Sequence, residues 1–420
     1  MKVLWFTNTA CSAAEKLGIK SHRGGWLKSL EDELSLLEEV DLSICFYAAG
    51  TYDPFKVSRT AYYPVPRKNT ASKAGRYFNR VFRKTPADNP EIKLLLSVIE
   101  QVKPDLIHIH GTEDNFGLIQ QHVSVPIIVS IQGILSPYLE KYYAGIPRTE
   151  ASRHESLAQK LSFKSASYLY EKLSLKAVRE REMLKKTRYV IGRTDWDRRV
   201  TRVLSPGSIY YYNNEILRSS FYNANWNKDH FNAKLRIVTI SSGAIFKGFE
   251  TIVKTAKILA SYPGFSFEWS VIGLDEKSTI VTTVNNWLKM NLTQLNIMLL
   301  GSLSEEKVVE VLCNADIYCQ VSHIENSPNS LCEAMLIGMP VIATAAGGTS
   351  SLLQSEREGI LCQDGDPYAL GGSVIELSND FLLAKKYGRN AREKAGQRHN
   401  KKQITADLLQ VYAAVLNDNK

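Results

Sequence analysis

The sequence predicts an α/β protein of two doubly wound domains, each a parallel sheet covered by helices. Three observations carry this. Short apolar runs alternate with helical stripes along the whole chain, the rhythm of successive βαβ units. The apolar runs are continuous rather than alternating, as strands buried on both faces should be. The rhythm comes in two blocks, and a chain of 420 residues suits two domains better than one.

In the first block Val3-Leu4-Trp5-Phe6 reads as a buried strand, and Leu27 to Val40 as a helix with Leu27, Leu30, Leu34 and Leu37 on one face. Leu42–Tyr47, Asp105–His110, Pro126–Ile131 and Tyr189–Gly192 read as further strands. In the second block Leu235–Ile240, Phe265–Ile272, Asn296–Leu300, Ile317–Val321 and Val341–Thr344 read as strands. Phe249, Ile252, Val253, Ala256 and Leu259 form a helical stripe, and Ser304–Ala315 a helix with Glu305 and Glu306 placed for its dipole. The polar, Asn-rich segment Asn213–Lys234 reads as the connection between blocks. The expected domains are therefore 1–213 and 214–397, with a C-terminal helix over about 398–420 packing back on the first.

Composition narrows the class. Hydrophobic residues make up 44% and charged residues 23%, values of a globular protein and not of a disordered one. The net charge of +9 favours anionic partners without choosing among phosphates, acidic lipid and nucleic acid. No nucleic-acid module signature is present, so none is expected to bind. The six cysteines show neither C-x-x-C nor zinc spacing and suit a reducing cytoplasm. Polar Thr7-Asn8-Thr9 interrupts the first apolar run, which leaves no signal-peptide core, and no run is long enough for a transmembrane helix.

The most informative stretch is Glu325-Asn326-Ser327-Pro328-Asn329-Ser330-Leu331-Cys332-Glu333-Ala334-Met335. It follows a strand. Ser327 suits an N-cap and Pro328 the first helical position, while Gly338 ends the helix. A helix starting at the carboxyl end of a parallel strand offers free N–H groups and a positive dipole end to a diphosphate. Glu325 and Glu333 bracket this junction, and ionised carboxylates accept strongly from hydroxyls, of a sugar at one and of a ribose at the other.

Glu325 and Glu333, with seven residues between them, resemble the E-x7-E motif of the GT-B family of retaining glycosyltransferases known as group 1 or family 4. Gly338-Met339-Pro340-Val341-Ile342-Ala343-Thr344 and Gly347-Gly348 resemble that family's following segments, and Ala315-Asp316-Ile317-Tyr318 a preceding one. The resemblance implies two Rossmann-like domains facing a cleft. It implies that Glu325 meets the donor sugar and Glu333 the ribose, and that Asn326, Ser327, Asn329, Ser330 and the Gly-Gly turn line the diphosphate, with Leu303 also on the donor side. Ser241-Ser242-Gly243-Ala244-Ile245-Phe246-Lys247-Gly248 matches a second family segment. Lys247 stands as the family's lysine, which implies that it stabilises the departing diphosphate. Ser242 stands where the family has an arginine, and Arg193 or Arg218 is the expected substitute.

In the first block Gly24-Gly25 resembles the family's glycine loop, close to donor and acceptor. Pro126–Gly133 resembles a segment ending in His-Gly, but Gln132 replaces the histidine and can hydrogen-bond without titrating. His108 and His110 share one strand face. His108 reads as a satisfied core residue and His110 as an acceptor contact. Arg67–Lys84 carries seven basic residues and no acid, interleaved with Tyr77, Phe78, Val81 and Phe82. Contact with an anionic membrane and a solvated helix stand as equal readings of it.

The activity implied is transfer of a sugar, with retention, from a nucleotide-sugar to a hydroxyl of a glycan or lipid-linked acceptor, at the inner face of the membrane, in surface polysaccharide synthesis. No D-x-D cluster ends a strand, so neither metal nor other cofactor is expected. A sugar-nucleotide epimerase, a glycan phosphorylase and an inactive binding subunit are the alternatives on the same fold. A dehydrogenase is disfavoured because no G-x-G-x-x-G follows the first strand.

Overall fold

The computed structural model describes residues 1–19, 25–67 and 89–419. The first sheet contains β1 (Lys2–Thr7), β2 (Asp41–Ala48), β3 (Phe55–Val57), β4 (Thr60–Pro66), β5 (Leu106–His110), β6 (Ile127–Ser130), β7 (Tyr189–Gly192) and β8 (Ile209–Tyr212). Their spatial order is β3-β4-β2-β1-β5-β6-β7-β8, parallel except for the β3–β4 edge pair. The second sheet contains β9 (Leu235–Ile240), β10 (Phe267–Ile272), β11 (Ile297–Gly301), β12 (Ile317–Gln320), β13 (Val341–Thr344) and β14 (Ile360–Cys362), in the order β11-β10-β9-β12-β13-β14. All of its pairings are parallel.

In both sheets the order reverses beside the first strand, between β1 and β5 and again between β9 and β12. That is the doubly wound arrangement, and it leaves a crevice beyond the carboxyl ends of the strands at each reversal. The continuous apolar runs are the innermost strands: every residue of β5, β6, β7, β12 and β13 is buried. Helices cover both faces of each sheet because only burial on both sides satisfies such runs.

The last helix, Lys401–Asn417, crosses back to the first domain. Ile404, Leu408, Val411, Tyr412 and Val415 join the cluster around Val3, Trp5 and Ile44. The Tyr412 hydroxyl lies 3.0 Å from Trp5 Nε1 and 2.7 Å from His108 Nδ1, so a buried polar triad locks this helix in place.

Several expectations shift. The first long helix spans Gly25–Leu34 and stops well before Val40; the Ser35 hydroxyl donates to the Asp32 carbonyl at 2.8 Å, a local alternative to the helical ladder. Asn213–Lys234 is more than a connection. It holds the helix Ser219–Asn223 and buries Leu217, Phe221 and Trp226 in the second domain's core. Trp226 Nε1 donates to the Ala315 carbonyl at 2.8 Å, while Lys228 pairs with buried Asp316 at 2.6 Å. Gly24 lies outside the described residues, and so does Arg67–Lys84 apart from Arg67, which pairs with Asp114 and stacks on Tyr47. No helix of the described residues is long and apolar enough to cross a membrane.

Candidate active site

The loops leaving β9 and β12 meet at the reversal of the second sheet. The β9 loop runs through Ser241 and Ser242 to a short turn ending in Lys247. Gly248 follows at φ +75°, and a Cβ there would run into the Val321 carbonyl of the β12 loop, so only glycine lets the two loops close. Their approach sets Lys247 Nζ 2.5 Å from Glu325 Oε1, with the Ser322 hydroxyl donating to the same oxygen at 2.7 Å. Glu325 is 7% exposed, which holds this charge pair in a poorly solvated wall of the cleft.

The helix Asn329–Ile337 begins beside this pair and presents its N-terminal N–H groups there, as a parallel strand followed by a helix requires. The expected capping moves by one residue. Pro328 takes the cap position with extended backbone and without a side-chain cap. Ser327 donates instead to Glu215 Oε1 at 2.5 Å. The cleft, about 420 Å³, is lined by Lys247, Glu325, Asn329 and Ser330 from the second domain and by Trp26, Gln132 and Arg193 from the first.

Arg193 follows β7 and is 6% exposed. Its guanidinium lies 4.1 Å over the Trp26 ring and 3.6 Å from Glu215 Oε2. Burial alone would raise the Glu215 carboxyl, but Arg193, His399 and Arg398 together hold it down at about 2. Arg193 therefore brings a second cation to the cleft that Ser242 also lines. Arg218, the other expected substitute, is committed elsewhere. It forms a two-pronged pair with Glu333, Nε to Oε1 and Nη2 to Oε2, both at 2.7 Å. Burial pushes the Glu333 carboxyl up, against the pull of Arg218. Glu333 is thus held by Arg218 rather than lining the cleft. Gly25 makes room for this pair, since a Cβ there would sit 2.9 Å from the Arg218 side chain.

Asn326 clasps the two domains. It accepts from the Thr194 hydroxyl at 2.7 Å and donates to the Gln132 carbonyl at 3.2 Å. At 1% exposure it does not line the cleft, contrary to the expected role. Gly347 and Gly348 are also displaced from theirs: they pack under Glu325 and Asn326, with Gly348 N donating to the Glu325 carbonyl at 2.9 Å. Gln132 does line the cleft. Asn8 donates to its Oε1 at 3.4 Å, and its Nε2 has no partner among the described residues. His110 is buried behind Trp5 and Trp26, with ring centroids 4.5 and 5.8 Å away, and touches the cleft only through Trp26. Burial, with His108 and Arg193 nearby, holds its pKa well below the usual histidine value. Leu303 packs in the second domain's apolar cluster and is not among the lining residues.

Three residues of this neighbourhood escaped sequence reading. Trp26 directly follows the glycine pair, and an aromatic ring at that place was the available signal. Glu215, at 0% exposure, stands in an otherwise polar segment just before apolar Ile216-Leu217. Ser322 carries no sequence signal. Glu215, Cys332 and His399 place ligand-type atoms within 4.8 Å of one another; Ser327 donates to Glu215 Oε1, while Oε2 faces the Arg193 guanidinium at 3.6 Å without a hydrogen bond among the described residues.

Two Rossmann-like domains facing a cleft define the GT-B fold, and solved structures share it over the whole chain. Sucrose-phosphate synthase from Thermosynechococcus elongatus superposes with a TM-score of 0.71 at 15% identity, covering 100% of both chains. Anabaena Alr3699/HepE, solved in complex with UDP, gives 0.62 at 15% identity, covering 99% of this chain and 100% of that one. Residues 224–394 match the model of the family described as Glycosyl transferases group 1. N-acetyl-alpha-D-glucosaminyl L-malate synthase of Bacillus anthracis is 31% identical over 116 residues, 28% of this chain and 30% of that protein. Amylovoran biosynthesis glycosyltransferase AmsK of Erwinia amylovora is 27% identical over 158 residues, 36% of this chain and 38% of its own. The chain thus spans about a third of the length of these curated relatives.

Proposed function

We propose that the protein is a glycosyltransferase that moves a sugar, with retention, from a nucleotide-sugar to an acceptor hydroxyl in polysaccharide synthesis. One observation carries the reading: the Lys247–Glu325 pair beside the N-terminus of helix Asn329–Ile337, at the reversal point of a parallel sheet. A cation and free N–H groups converge where a diphosphate would leave, and a carboxylate where sugar hydroxyls would be held. The family match of this domain and the names of its relatives point the same way.

The bond between the anomeric carbon and the diphosphate oxygen breaks, and its electron pair stays on the diphosphate. Lys247, Arg193 and the helix N-terminus stabilise that charge. The acceptor oxygen bonds to the same face of the anomeric carbon, and its proton passes to the departing phosphate. Gln132 lines the cleft and its buried Nε2 has no partner among the described residues, so a small rotation would bring an N–H to a substrate hydroxyl; the amide cannot itself take the proton. No step draws on a metal ion.

The test is donor consumption with and without added acceptor, beside thermal shifts with nucleoside diphosphates. We expect stabilisation by a nucleoside diphosphate and consumption that depends on acceptor. Lys247→Met should lower turnover at least 100-fold, on the order of 3 kcal/mol of transition-state stabilisation. Interconversion of donors without acceptor, a requirement for inorganic phosphate, or binding without turnover would each overturn the reading.

A further inference from the structure

A second cavity, about 450 Å³, lies on the other side of the β9 loop. Ser241, Ser242 and Lys247 face the donor cleft, whereas Ala244, Ile245 and Phe246 of the same loop face this cavity. Tyr142, Leu169 and Leu173 from the first domain and Ile280 from the second complete an apolar wall.

Its charged lining is mainly basic, three lysines to one acid. Lys164, Lys172 and Lys176 line it and form no ion pair among the described residues. Glu155 is the acid in the lining, and its Oε1 is spent on the Ala166 backbone N–H at the start of helix Ala166–Leu184. Burial, with Arg179 and Lys172 nearby, holds the Lys176 pKa below the ordinary lysine value despite Asp114. The surface beside these residues is unusually apolar: Leu157, Leu161 and Leu169 are 77%, 80% and 43% exposed. Isolated exposed leucines are ordinary, but Leu169 lines the cavity itself, and Leu157 and Leu161 lie on a helix between the lining residues Glu155 and Lys164.

We infer that this cavity binds a lipid phosphate, with the apolar chain against Tyr142, Leu169, Leu173, Phe246 and Ile280 and the phosphate on Lys164, Lys172 and Lys176. Charge complementarity selects the head and the apolar wall selects the tail. The inference rests on the transferase reading and deepens it: the shared loop makes the lipid phosphate the anchor of the acceptor, held on one side of residues 243–246 while the donor sits on the other. A free phosphate would use the lysines and leave the wall unused; a neutral lipid would do the reverse.

The experiment is calorimetric titration of the full chain with hexyl, octyl and decyl phosphate below their aggregation concentrations, against inorganic phosphate and decanol. Affinity should rise about fourfold for each methylene that reaches the wall. Inorganic phosphate and decanol should each bind at least tenfold more weakly than decyl phosphate. Leu169→Glu and the double variant Lys164→Glu, Lys172→Glu should each weaken decyl phosphate at least tenfold. All three positions are exposed, so both variants should keep the wild-type melting temperature and nucleoside diphosphate shift. Affinity independent of chain length, or unchanged in both variants, overturns the site. Wild-type protein that binds decyl phosphate as described but gains no stability from any nucleoside diphosphate leaves the site standing and overturns the transferase reading instead.

Discussion

Arg218 holds both oxygens of Glu333 at 2.7 Å, so the carboxylate that motif spacing assigns to a ribose is already clamped by a side chain from the segment joining the two domains. The clamp ties the helix that opens on the cleft to the segment joining the domains. The carboxylate sits on a buried turn of helix Asn329–Ile337, the guanidinium just before helix Ser219–Asn223, and Gly25 of the first domain leaves the space both need.

Breaking one side of this clamp strands a buried charge. Arg218→Ala should therefore destabilise the protein by roughly 3 kcal/mol, and the double variant Arg218→Ala, Glu333→Ala by clearly less than the sum of the single changes. Denaturant unfolding of the four proteins measures this. Glu333→Ala should also weaken nucleotide-sugar binding, through loss of the Arg218 clamp behind the cleft rather than of a cleft-lining group, whereas Glu325→Ala should chiefly lower turnover. Additive stabilities, or near-wild-type kinetics for both glutamates, would count against the assignment.

Among the described residues Arg193 and Lys247 are the two cations facing the cleft, and Ser242 lines it where another could stand. Arg193→Ala should lower kcat/KM at least tenfold. Adding Ser242→Arg should recover part of that loss, because Ser242 is exposed and lines the same cleft. Steady-state kinetics of the single and double variants test this. No recovery in a protein that still melts as wild type would confine Arg193 to its structural pairing with Glu215.

Activity should survive EDTA. Lys247, Arg193 and a helix N-terminus already supply the positive field that a metal would bring to a departing diphosphate. Initial rates before and after chelation decide the matter. Loss of activity restored by magnesium or manganese would refute the prediction.

Glu180 is fully buried and accepts from Thr112, Leu135 N and Ser136 N. Burial still raises its carboxyl to about 7. With the folded pKa above the unfolded one, the stability it contributes is complete below about pH 4.5 and is lost as pH rises through 7. The difference corresponds to roughly 3 kcal/mol at most. Glu180→Gln should flatten stability between about pH 5 and pH 8 relative to wild type, as read from urea unfolding at several pH values. Parallel curves for the two proteins would refute this.

The sequence by itself determined the architecture and named residues that line one edge of the cleft. Short continuous apolar runs bounded by turn residues suit strands buried on both faces, and β12 and β13 fall where such runs lie. Lys247, Glu325, Asn329 and Ser330 were legible because strand-to-helix junctions are local features, written in consecutive residues. Strands β3, β4, β8 and β14, at or next to the sheet edges, were not, because their burial is partial or alternating and leaves no continuous apolar run to read. Only the tertiary structure decided what crosses between distant segments. Asn326 became a clasp to Thr194 and Gln132, Glu333 the partner of Arg218, and Trp26 the platform under Arg193. Each of these pairings joins residues more than a hundred positions apart along the chain. Sequence spacing specifies which groups are available, whereas the packing of two sheets end to end selects which of them meet and which remain free for a substrate.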